Sequence, residues 1–142
     1  MATYNKFQDF SEQLVRGVHD WDAHTFKVAL TNSAPVATNT LLSEITQISG
    51  TNGYTTGGTA TTITVSETTG TTTVQGTQVV FTAAGGSMGP FRYVVLYNDT
   101  ATSPLDVLIG WWDYGSAVTL ADGETFTVKF NNASPGTIFT LA

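Results

Sequence analysis

The densest polar cluster in the chain is His19-Asp20-Trp21-Asp22-Ala23-His24, two imidazoles and two carboxylates within six residues. In an extended conformation Asp20, Asp22 and His24 share one face, a mixed set of hard and borderline ligands suited to a divalent cation. The same residues are ordinary turn formers on a wet surface. Asp106 and Asp113 are a second candidate pair, the carboxylates of a glycoside hydrolase. Seven residues of strand span about 23 Å, however, far beyond the roughly 5–10 Å that this chemistry requires. Ser87 lies in Gly85-Gly86-Ser87-Met88-Gly89, which lacks the strand-turn-helix frame of a nucleophile elbow. No phosphate-binding glycine loop with its lysine and no His-Glu-x-x-His motif occurs. With no cysteine in the chain, thiolate catalysis, disulfides and cysteine zinc sites are excluded. No catalytic, cofactor-binding or metal-ligating set is therefore assigned, and the expectation is a protein that is not an enzyme.

The aromatic run Trp111-Trp112-Asp113-Tyr114 is the most suggestive patch for binding. Neighbours on a strand face opposite ways, so one Trp is expected in the core and the other outside, with Tyr114 beside it. An exposed Trp112 and Tyr114 could stack on a sugar ring or anchor a protein interface; both Trp rings could equally be buried.

These residues need elements to hold them. Phe7, Phe10, Leu14, Val15 and Val18 recur at steps of three and four, which predicts a helix over residues 3–19 with one apolar stripe. That stripe would pack on the domain's own sheet or dock, as an arm, on another subunit. TFKVALT (25–31) alternates as a half-buried strand, and Leu41–Ile48 is ambiguous between short helix and strand. Residues 51–82 hold 14 of the 27 Thr. They predict two strands, 60–68 and 71–82, joined at Thr69-Gly70. FRYVVLYND and LDVLIGWWDYG are apolar on both faces and predict an antiparallel pair near a sheet centre. Ala121-Asp122-Gly123 predicts a tight hairpin between residues 117–120 and 124–130, and residues 137–141 make a last strand. One helix and about eight strands imply a mainly β fold. The expected architecture is an antiparallel β-sandwich or jelly roll filling a single domain 1–142, with an N-terminal helix or arm (1–19) and the sandwich over 24–142.

Composition supports this. A chain of 142 residues and 15.1 kDa is one domain, with a folded surface expected near roughly 7,000 Å². Charged residues are only 11 %, too few for long surface helices, while Thr and Gly favour strands and turns. Five scattered cations against eleven acids, a net charge of −6, would repel a phosphate backbone, so nucleic acid is not an expected partner. No apolar run approaches 18 residues and the start, MATYNKFQDFSEQL, lacks the pattern of a secretory signal, so no membrane association is expected.

ATYNKFQDF, FKVALTNSAP, GPFRYVVLYNDTA and LIGWWDYG followed by DGETFTV together resemble a family of small virion structural proteins of tailed bacteriophages, over nearly the whole chain. The resemblance implies a non-enzymatic protein used in many copies, without cofactor, located in the virion and assembled in the host cytoplasm. Many phage decoration, or cement, proteins are small β-rich domains that trimerise on the shell. The leading expectation is accordingly a homo-oligomeric head decoration protein, a trimer, that binds the outer surface of the major capsid protein lattice and stabilises it. Its N-terminal stripe (Phe7, Phe10, Leu14, Val18) or its Thr-rich hairpin would reach a neighbour. The alternatives are a tail, neck or fibre component contacting another virion protein, or a carbohydrate- or receptor-binding module using Trp112 or Tyr114.

Overall fold

Val94 to Tyr97 are apolar at every position and need cover on both faces of their sheet. In the computed structural model, which describes residues 2–142, they have it. The strands are β1 (Asn5–Lys6), β2 (Phe26–Thr31), β3 (Thr59–Thr61), β4 (Ile63–Thr68), β5 (Thr71–Gly76), β6 (Val79–Thr82), β7 (Met88–Asn98), β8 (Leu108–Leu120), β9 (Thr125–Val128) and β10 (Gly136–Leu141), with one helix, α1 (Phe10–Val15). A five-stranded sheet runs β1-β8-β7-β2-β3, accompanied by a three-stranded sheet β10-β5-β4 and a two-stranded sheet β6-β9. Every pairing is antiparallel.

One face of the large sheet (Phe26, Val28, Leu30, Val94, Leu96, Ile109) packs against Val74, Val79, Phe81, Val128, Phe130 and Ile138 of the smaller sheets and their connections, forming the main core. The opposite face (Ala29, Val95, Tyr97, Leu108) is covered by Phe7 and Ile45. The fold is thus mainly β and sandwich-like with one N-terminal helix, and its accessible surface of 7035 Å² matches the size expectation.

The predicted helix over residues 3–19 is corrected to the six residues of α1. The spacing of Phe7, Phe10 and Leu14 imitates a stripe, but Asn5 and Lys6 pair with Trp111 and Gly110 of β8. Phe7 and Phe10 then enter different cores. Gly110 has no Cβ where one would collide with the Tyr4 ring, so β1 can lie close. At the other end Gly17, at φ 76°, stops the helix in a conformation that favours glycine. The N-terminal segment is therefore part of the domain's core rather than an arm, and residues 24–142 do not form the sandwich alone.

The hairpin at Thr69-Gly70 forms as expected, with Thr68 opposite Thr71 and φ values of 51° and 83° at the two turn residues, the signature of a primed turn. The predicted strand 71–82 divides, β5 joining β10 and β6 joining β9. The Asp122-Gly123 turn is tight, but it does not make the expected hairpin. It carries the chain out of β8, and β9 pairs with β6. Leu42–Glu44 is a single 3-10 turn, whose Glu44 carboxylate accepts the Thr40 and Leu41 N–H groups at 2.7 and 2.8 Å. Those bonds favour the anion and hold the Glu44 carboxyl below its ordinary range.

Candidate functional site

Two places gather the residues singled out above. The first is built on Asn98, fully buried at the end of β7. Its Oδ1 accepts the backbone N–H groups of Thr100 (2.9 Å) and Ala101 (3.1 Å), which fixes the orientation of the amide. Its Nδ2 must then donate, and it faces His19 Nδ1 at 3.1 Å and His24 Nδ1 at 2.9 Å. Both imidazoles accept through Nδ1, so both are neutral and carry their proton on Nε2. His19 is buried among Phe10, Trp21 and Phe26, and its Nε2 has no partner. Burial first, and the neighbouring His24 second, lower its pKa to about 4. This corrects the reading of His19 as a wet surface residue.

Asp20 plays a different part. Its Oδ1 accepts the Asp22 and Ala23 N–H groups at 3.1 and 3.0 Å, a local turn that folds the segment back so that His24 reaches Asn98. The two histidines and two aspartates do not converge on a cation, and among the described residues no group of three metal-ligating side chains does. The arrangement is a clasp that ties the segment after α1 to the end of β7.

The clasp predicts a pH dependence. His19 titrates near 4 when folded and near its ordinary 6.5 when unfolded, so its contribution is whole above pH 6.5 and is lost as pH falls from there through 4. The total is about 3 kcal/mol. Urea midpoints measured from pH 7.5 to 4 should fall more steeply in the wild type than in His19→Gln; equal slopes would remove His19 as the cause.

The second place is the aromatic run. Two irregularities in β8 set it. Leu108 faces Tyr97 while Gly110 faces Leu96, so Ile109 is an extra residue, and the alternation is reset behind it. Trp111 consequently joins Phe7 on one face, ring centroids 4.6 Å apart. Trp112 lies on the other, between Tyr4 at 5.4 Å and Phe130 at 5.2 Å. Both rings are partly buried, so neither is the freely exposed Trp of the sequence reading. Further on, Asp113 faces Tyr93 and Val118 faces Phe91, leaving Tyr114 to Ala117 as a bulge that turns at Gly115, φ 103°. Tyr114 is 55 % exposed there, edge-on to Phe126 at 5.3 Å.

A groove of about 260 Å³ opens at this point, walled by Trp112 and Tyr114 on one side and by Phe126 to Asn132 on the other. Asn131 and Asn132 both hold positive φ, 50° and 55°, which asparagine tolerates better than most residues. The only sequence signal for this wall was the Asn-Asn pair itself.

The other candidates lie apart. Asp113 forms a two-pronged ion pair with Arg92, at 2.8 and 3.0 Å, which holds its carboxyl below the ordinary range. Asp106 sits in the β7–β8 connection, its pKa raised by burial and by Asp99. Ser87 lies in the β6–β7 loop, its carbonyl accepting from Asn52 at 2.9 Å. Of the remaining stripe residues, Leu14 packs partly on the main core and Val18 is half-buried. No helix among the described residues is long and apolar enough to cross a membrane. No family model, no curated protein and no solved structure matches this chain.

Proposed function

We propose that the chain is a non-enzymatic structural component of a tailed-phage virion, and specifically a head decoration protein that binds the outer surface of the major capsid protein lattice and stabilises it. The sequence resemblance stated above motivates the reading. The observation that carries it in the fold is the Thr-rich β4–β5 hairpin. Residues 64–70 are exposed on both faces, and β4 has no partner on its outer side. A protein that joins a repeating assembly without covalent bonds needs such a surface, with unpaired backbone groups and hydroxyls available to a neighbour.

With Phe7 and Phe10 buried in the chain's own cores, the hairpin replaces the N-terminal stripe as the element that reaches out. A sugar platform has less support, because Tyr4 and Phe130 pack against the Trp112 ring, leaving Tyr114 as the exposed ring. The test is the ratio of this chain to major capsid protein in purified particles. A lattice ratio supports decoration, a small copy number moves the chain to neck, tail or fibre, and absence from particles overturns the virion reading.

A further inference from the structure

The groove beside Tyr114 is bounded by an open strand edge. β9 pairs only with β6. Ala83 N–H donates to the Glu124 carbonyl at 2.9 Å, so the backbone groups of Phe126 and Val128 follow toward β6 and those of Thr125, Thr127 and Lys129 face away. Thr127 and Lys129 line the groove. What would satisfy this edge is another extended backbone. Lys129 adds a charge requirement. Lys6 is bonded to Ser11, Arg16 to Glu12, Lys27 to Asp99 and Arg92 to Asp113. Among the described residues Lys129 is the one basic side chain with no such partner.

The chain itself carries a matching segment. β4, Ile63-Thr64-Val65-Ser66-Glu67-Thr68, is unpaired on its outer edge, exposes Val65 by 42 % and holds one charged residue, Glu67. We propose that β4 of a second copy adds as a strand to the open edge of β9, its backbone entering the groove beside Tyr114. Charge selects the direction. With Val65 opposite Thr127, a parallel strand places Ile63 opposite Thr125 and Glu67 opposite Lys129, whereas an antiparallel one sets Ile63 against Lys129. The opposed Glu and Lys and the β-branched pairs favour the parallel register. Thr64 and Ser66 then lie on the Phe126 side, small enough for a groove of about 260 Å³. Because β4 and β9 are different surfaces, copies join head to tail, and such contacts close into a ring when the rotation permits.

This deepens the many-copy reading and rests on it only for its biological setting; the experiment uses the purified full chain, so the two fail separately. The wild type should sediment as a concentration-dependent oligomer. Lys129→Glu and Glu67→Lys should each raise the dissociation constant at least tenfold, and the double exchange should restore it. Since the chain has no cysteine, Val65→Cys with Thr127→Cys should, on oxidation, give intermolecular cross-links that Val65→Cys with Val36→Cys does not. A wild type monomeric at millimolar concentration, an oligomer indifferent to both charge changes, or equal cross-linking in the two cysteine variants would each overturn the proposal.

Discussion

Asn98→Ala should destabilise the fold by about 3 kcal/mol, among the largest losses available from a single polar side chain here. The side chain is fully buried, and its four contacts have no ready substitute. Alanine strips the Thr100 and Ala101 N–H groups of their acceptor and both histidine Nδ1 atoms of their donor. Losing half of a buried network costs more than never having built it, because the abandoned partners stay desolvated. Asn98→Asp separates the two halves of the effect. It keeps the acceptor for the backbone while placing a carboxylate beside both rings, which favours protonated imidazole. The acid loss between pH 6.5 and 4 should then shrink or reverse in sign. Chemical denaturation at pH 7.5 and 5 checks both variants, and an Asn98→Ala chain within about 0.5 kcal/mol of the wild type would show that the clasp is not structural.

Phe7→Ala should cost about 4 kcal/mol. Phe7 is 0 % exposed, packs on Trp111 and joins Val95, Tyr97 and Leu108 in the second core. Val15→Ala is the control, since Val15 is 87 % exposed and its loss should fall within about 0.5 kcal/mol. Removal of residues 2–18 takes away β1, α1, Phe7 and Phe10 together. A domain whose whole stability is of order 5–15 kcal/mol cannot absorb that, so the truncated chain should show no cooperative unfolding transition. A truncated chain that unfolds cooperatively at a near-wild-type midpoint would restore the N-terminal segment to the status of an arm.

Much of the β architecture is legible in the residues. β2 alternates, the β7–β8 pair is apolar on both faces, and Thr69-Gly70 can hardly be anything but a turn. These features are local, and period and turn chemistry are local signals. What escapes is set by distant partners. Asn5 and Lys6 become a strand only because β8 offers an edge, and two residues carry no periodicity. The extra residues at Ile109 and at Tyr114 to Ala117 reset the alternation, so period counting alone cannot assign faces to Trp111 and Trp112. Asn98 gave no signal, because an Asn-Asp pair after a strand reads as a turn and its histidine partners lie more than 70 residues away in sequence. The open edge of β9 is likewise visible only once β9 is known to pair with β6 rather than with β8.

The central claim is that the chain is a structural part of a virion, in many copies, on the head. Quantitative mass spectrometry of purified particles tests it most directly, as copies of this chain per copy of major capsid protein. The account predicts a ratio near one or a simple lattice fraction of it. A few copies per particle, or none in clean preparations, would contradict it.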